Sequence, residues 1–210
     1  MFKDRTAVGH LLAAKLGVYK TVPGVVLAVP CGGVPVAYYV AKELGLPLDL
    51  VLVKKIGHPN NKEYAIGAAS LTDHVVVPQP DVPASYIEQE LLRIRKRLAE
   101  MSRKFRGDAA AINLAGKTVI VIDDGAATGQ TLLRTLSLIK KSQPAKVVVA
   151  LPVASRPAMQ ILEKEADEVV VCLIPSDFYG VGAYYENFTE VSDDEVSYYL
   201  DKLNRLQRAG

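Results

Sequence analysis

Residues 118–131 read Thr-Val-Ile-Val-Ile-Asp-Asp-Gly-Ala-Ala-Thr-Gly-Gln-Thr, and each third of the stretch has a separate physical job. Thr118 to Ile122 is a short continuous apolar run, the pattern of a strand buried on both faces of a parallel sheet. Asp123 and Asp124 follow where such a strand emerges at its carboxyl end, the usual ligand crevice of an open α/β sheet. The loop Gly125 to Gln130 is small enough to bring backbone N–H groups against an anion. Thr128 and Thr131 add hydroxyls, and the helix that follows aims its positive end at the same point. Carboxylates beside a phosphate cradle suit a sugar phosphate, whose hydroxyls need acceptors and whose phosphate needs donors. The plainer alternative is a tight strand–helix turn carrying two solvated aspartates.

Outward from this stretch, strand-like and helix-like runs alternate. Asp4 can cap a first helix to about Leu16, with Val8, Leu12 and Leu16 on one face. Val25 to Pro30 reads as a strand, 34–44 as a helix stopped by Gly45, and Leu48 to Val53 as a strand ending in Lys54 and Lys55. From Gly57 to Pro83 the pattern breaks into short pieces, a hairpin or a mobile loop. Ile87, Leu91, Ile94, Leu98, Met101 and Phe105 recur at steps of four and three, which predicts a long amphipathic helix. After residue 129 the reading is helix (130–141), strand (146–152), helix (156–165) and strand (169–174), then an aromatic, glycine-containing segment (175–191) and a last helix from Asp193. Strands alternating with helices imply an α/β fold with a doubly wound, mainly parallel sheet.

The 210 residues, half of them hydrophobic and 23% charged, are enough for one domain with a full core. A net charge of +2 is too small to argue for nucleic acid as a partner, and no apolar run reaches membrane-spanning length. Two cysteines, Cys31 and Cys172, make no disulfide framework, and the N-terminus lacks a basic flank and apolar core; a cytoplasmic protein is expected.

Two further features accompany the acidic pair. Cys31-Gly32-Gly33 lies between a strand and a helix, so its backbone N–H groups can face a phosphate; such turns are common and the signal is weak alone. Lys54 and Lys55 are natural counter-charges for a multiply charged anion, or simply solvated lysines at a strand end. Seven basic residues between Arg93 and Arg106 read first as a solvated helix face, with pyrophosphate contact or a subunit interface as the alternatives.

The stretch 118–131 resembles the phosphoribosyl-pyrophosphate (PRPP) motif of the type I phosphoribosyltransferases: apolar strand, acidic pair, then x-x-x-Thr-Gly-x-Thr. The resemblance is to a stand-alone predicted branch of that family and covers most of the chain, with Phe178-Tyr179-Gly180-Val181-Gly182 as a further shared element. It implies one phosphoribosyltransferase domain over 1–210: a core at about 18–175, a mobile loop at about 56–83, and a hood and C-terminal segment at about 175–210. It also implies transfer of the 5-phosphoribosyl group from PRPP to a nucleobase-like acceptor with release of pyrophosphate, with Mg2+ as cofactor and a homodimer as the assembly. Asp123 and Asp124 would be the catalytic pair, holding metal through water or ribose hydroxyls. Gly125, Ala126, Ala127, Thr128, Gly129, Gln130 and Thr131 would grip the 5′-phosphate. Cys31, Gly32, Gly33, Lys54 and Lys55 would meet pyrophosphate, and Phe178 and Tyr179 the base. Asn60, Asn61, Lys62 and Glu63 are candidates in the lid, with no individual role assigned.

The chain departs from the family pattern at three places. The position before the glycine pair, often basic, is Cys31. Oxopurine members carry an Asp where Ala127 stands, and a lysine after the next strand where Val153-Ala154-Ser155-Arg156 stands here. A hypoxanthine or guanine enzyme of the usual kind is therefore disfavoured. A non-catalytic PRPP-binding regulator is the alternative that these departures motivate.

Overall fold

The computed structural model describes residues 1–209; the side chains of Glu63 and Ala209 lie outside the described residues, so the lid expectation for Glu63 has no structural counterpart. In chain order the elements are α1 (Arg5–Lys15), β1 (Gly24–Ala28), α2 (Gly33–Leu44), β2 (Leu48–Leu50), β3 (Lys54–His58), β4 (Asn61–Ala69), β5 (His74–Val76) and α3 (Ala84–Arg106). The second half continues with β6 (Thr118–Ile122), α4 (Gln130–Lys141), β7 (Lys146–Val153), α5 (Arg156–Glu165), β8 (Glu168–Leu173) and α6 (Asp193–Ala209). Local chemistry sets several of these ends. The Asp4 carboxylate accepts from Ala7 N–H at 2.8 Å at the start of α1, and Gly45 closes α2 in the left-handed conformation.

Five strands form one parallel sheet in the order β2–β1–β6–β7–β8. Its two faces separate residue by residue along each strand. Val26, Ala28, Ile120, Ile122, Val148 and Ala150 join one core with α1, α2, α3 and α6. Val25, Leu27, Val119, Val121, Val147 and Val149 join the other with α4 and α5. With both faces covered, β6 cannot alternate apolar and polar residues, which is why 119–122 is apolar throughout and only Thr118, at the half-buried start, is polar. Successive strands run outward from β1 on one side and from β6 on the other. The adjoining carboxyl ends of β1 and β6 are therefore the switch point at which open α/β sheets bind ligands.

The segment from Gly57 to Pro83, read from sequence as a hairpin or a mobile loop, belongs largely to a second sheet. β3, β4 and β5 pair antiparallel, with register shifts at Ile56/Gly57 and Gly57/His58. Lys54 and Lys55 accordingly open β3 of this small sheet rather than end β2, because β2 stops at Leu50. The long helix α3 lies against β3 and β4 and also touches α6. Much of its basic face is tied internally. Arg106 donates to Asp49 at 2.6 Å and to the Leu50 carbonyl at 2.9 Å, Lys104 pairs with Asp193, Arg93 with Glu90, and Arg95 donates to the Thr72 carbonyl. No helix among the described residues is long and apolar enough to cross a membrane.

Candidate active site

At the carboxyl end of β6, Asp123, the loop 125–129, Thr131, Leu132 and Val181 line a cavity of about 250 Å³. The loop is braced from the next strand. Ala126 bridges to Ala154 and its N–H donates to the Val153 carbonyl at 3.0 Å. Ser155 Oγ donates to the Ala127 carbonyl at 2.5 Å while accepting Ala158 N–H as the N-cap of α5. Val153, Ala154 and Ser155, part of the stretch 153–156 that stands where the resemblance leads one to expect a lysine, thus serve here to hold the loop. Gly129 has φ +70°, which an L side chain adopts only under strain, and α4 begins immediately after it. Among the described residues, the N–H groups of Ala127, Thr128 and Gly129 meet no protein acceptor, leaving them for an anion beside the start of α4.

The glycine turn packs directly on this strand end. A Cβ at Gly33 would come within 2.7 Å of the Ile122 carbonyl oxygen and 2.9 Å of Asp123 Cα. One at Gly32 would fall 2.0 Å from Asp124 Oδ2. Both glycines therefore exist for close approach, and the turn and the acidic pair share one crevice. The Pro30–Cys31 peptide bond in the turn is cis.

Electrostatics differ sharply along the acidic pair. Burial, and then the neighbouring Asp124 charge, push the Asp123 carboxyl well above the ordinary range for Asp, although Asp123 Oδ1 accepts Asp124 N–H at 2.8 Å. Asp124 is neutralised by Arg5, whose Nε and Nη2 both reach Oδ2, at 3.0 and 2.8 Å. These side chains are only 10% and 15% exposed. Arg5 was not among the sequence candidates: 119 residues separate it from Asp124, and nothing local marks it. The N-terminal stretch is sewn to the aromatic segment through Phe2 N–H to the Tyr184 carbonyl, Glu186 N–H to the Phe2 carbonyl and Asn187 N–H to the Lys3 carbonyl, which delivers Arg5 to the site.

The other expected residues are distributed around this centre. Cys31 Sγ lies 3.8 Å from Asp193 Oδ1; burial, with Asp193 and Glu190 nearby, raises its thiol, and Lys54 opposes the rise. Lys54 and Lys55 face a larger cavity of about 530 Å³ between the β3–β4 hairpin and α3, with Lys62, Glu90, Arg93 and Arg97. That cavity is larger and more basic than the one at β6, but Asp123 lines the smaller one. Of the lid candidates, Lys62 donates to Tyr86 and Glu90, and Asn60 N–H is taken by His58. Phe178 packs against Tyr184 at 5.6 Å between ring centres, while Tyr179 is 81% exposed. Val181, unremarked from the sequence as a site residue, lines the small cavity and would touch a Cβ at Gly125 at 2.6 Å. Tyr185, also missed, donates to the Asp124 carbonyl at 2.7 Å.

Comparison with known proteins agrees with this geometry. Residues 4–188 match the family described as phosphoribosyl transferase domain. A Mycobacterium tuberculosis protein named "Putative phosphoribosyl transferase" is 37% identical over 210 residues, covering 98% of this chain; the chain spans about half, 47%, of that relative's length. The crystal structure of TT1426 from Thermus thermophilus superposes with a TM-score of 0.86 at 40% identity, covering 96% of this chain and 98% of that one. The Aquifex aeolicus protein AQ2163, 13% identical, shares the fold with a TM-score of 0.50 over 93% of this chain and 85% of that one. A parallel sheet whose switch point joins a glycine turn to an acidic pair and an anion loop, matched across nearly its whole length, makes this chain a member of the phosphoribosyl transferase domain family.

Proposed function

We propose that the protein transfers the 5-phosphoribosyl group of PRPP to a nucleobase-like acceptor and releases pyrophosphate. The observation that carries this reading is the contact of Gly32 with the Asp124 carboxylate, because it puts a diphosphate turn, a pentose clamp and a phosphate loop in one crevice. Within the loop Ala126 to Thr131, the amides of Ala127, Thr128 and Gly129 and the two threonine hydroxyls hold the 5′-phosphate, and Ala126 anchors the loop to Val153. Asp123 and Asp124 accept from the ribose hydroxyls and favour positive charge on the ring as the bond to pyrophosphate lengthens. The Gly32 amide, with Lys54 and Lys55, meets the charge that grows on the leaving group, while the Gly33 N–H is spent on the Val29 carbonyl at 3.0 Å and holds the turn. Phe178 and Tyr179 belong to the segment that forms the acceptor side. The reaction is governed by positioning and electrostatics more than by proton transfer.

Mg2+ is the proposed cofactor. Asp123 at the cavity, with the adjacent Asp124 carboxylate beside Gly32, fits an ion that keeps several waters and is completed by substrate phosphates. When bound, it supplies further charge neutralisation at the diphosphate. Asp123, raised in the free protein, gives up its proton more readily beside such a charge.

The test is to mix the protein with PRPP, Mg2+ and a panel of purine and pyrimidine bases and to identify products by mass. A nucleoside monophosphate is expected with at least one base. PRPP binding without product for any base would turn the reading to a PRPP-responsive regulator, and no PRPP binding would end both.

A further inference from the structure

In the glycine turn, the residue before the glycines carries no positive charge. Cys31 stands there beside the acids Asp193 and Glu190, and the cations acting on it, Lys54 and the Lys104 that pairs with Asp193, come from other elements. A pyrophosphate group entering that turn would therefore meet no cation from the turn itself. Arg5 changes that balance. It is the one buried arginine or lysine among the described residues, and it reaches the turn through a single atom. Asp124 Oδ2 takes both of its N–H contacts and is also the oxygen that a Cβ at Gly32 would strike. The guanidinium is held independently of Asp124 as well. Nη1 donates to the Thr189 carbonyl at 2.8 Å, and the Phe188 ring centre lies 4.1 Å from Cζ. Three of its five N–H groups are thereby engaged, and among the described residues two are left.

We infer that Arg5 is a pyrophosphate-binding cation of this site beside Lys54 and Lys55, supplied from the N-terminal helix in place of a basic residue in the turn. In the ligand-free protein it neutralises Asp124. When PRPP enters, Asp124 turns to the ribose hydroxyls. The guanidinium, kept in place by Thr189 and Phe188, then donates to the diphosphate oxygens above Gly32 and Gly33, a planar fork that suits that anion. This inference rests on the PRPP reading of the crevice and adds to it the residue that recognises the diphosphate end.

Calorimetry with three ligands separates the possibilities: PRPP with Mg2+, pyrophosphate with Mg2+, and ribose 5-phosphate, which has the pentose and its phosphate ester but no diphosphate. The variants are Arg5→Gln and Arg5→Lys. Loss of a charge-assisted pair of hydrogen bonds predicts that Arg5→Gln binds PRPP and pyrophosphate about 10- to 100-fold more weakly. Ribose 5-phosphate should bind within about twofold of the wild type, or more tightly, because Asp124 is released from its partner. Arg5→Lys keeps the charge and loses the fork, so its loss should have the same ligand pattern and be smaller; it carries the test alone should Arg5→Gln not fold. An equal loss for all three ligands would assign Arg5 a merely structural part, and unchanged PRPP affinity would remove it from the site; either overturns the inference. Failure of the wild type to bind PRPP or pyrophosphate would instead strike the reading of the crevice on which it rests.

Discussion

Gly33→Ala tests the packing on which the crevice depends. Gly33 opens α2, where alanine would ordinarily be welcome, and replacing glycine should stabilise by about 0.4–1 kcal/mol through the unfolded chain. The added methyl, however, would lie 2.7 Å from the Ile122 carbonyl oxygen, 2.9 Å from Asp123 Cα and 3.3 Å from Ile122 C. Every one of these neighbours is backbone, at the end of a fully buried central strand, so no side chain can swing aside. Overpacking of this kind costs about 1–3 kcal/mol, and two contacts under 3.0 Å with backbone put this site in the upper half of that range, which leaves a net loss of at least about 1 kcal/mol. For a chain of this size that lowers Tm by roughly 2–8 °C. Relief requires the turn to back away from Asp123 and Asp124, so PRPP affinity should fall about tenfold or more. Differential scanning calorimetry and titration calorimetry read the two effects. Gly17→Ala is the control, because its methyl would meet nothing within 4 Å, and its stability should stay within about 0.5 kcal/mol of the parent. An unchanged Tm in Gly33→Ala would refute the close approach. A lower Tm with undiminished affinity would preserve the packing argument and remove the turn from the binding site.

Three further outcomes are expected. Asp123→Asn should raise Tm at pH 8 and much less near pH 4, while abolishing PRPP binding. The folded pKa lies above the unfolded one, so the native state binds more protons and stability falls as pH rises through that interval; a neutral amide removes the loss, and an equal gain at both pH values would refute it. Ser155→Ala should cost about 1 kcal/mol as a lost N-cap and also free the Ala127 carbonyl, weakening ribose 5-phosphate binding in titration calorimetry; stability lost without affinity would confine Ser155 to capping. Cys31→Ser should retain turnover, because burial and two nearby acids keep the thiol protonated at neutral pH; inactivation by this change would refute that and point to a nucleophilic thiol.

Much of the architecture was legible because its causes are local. A strand covered on both faces must be apolar at every buried position, and Val119 to Ile122 reads so directly. The caps at Asp4 and Gly45 act within a few residues, and the steps of four and three from Ile87 to Phe105 mark α3. The stretch 54–76 was harder. Its strands are short, its glycines at 57 and 67 interrupt the alternation, and β3 is paired out of register around Gly57. Lys54 and Lys55 were therefore assigned to the end of a strand in the main sheet, although they begin a different sheet.

The sequence by itself determined that an acidic pair and a glycine-bearing anion loop follow a buried strand, because strand, turn and helix N-terminus are contiguous in the chain and need no distant partner. Only the tertiary structure decided that the glycine turn at Gly32 meets Asp124, that Ser155 braces the loop, and that Arg5 pairs with Asp124. Strand order brings β1 beside β6, and the pairing of residues 2–3 with 184–187 carries Arg5 across the crevice. Contacts of that kind join groups scores of residues apart, and no local pattern of side chains encodes which distant partner a charge will meet.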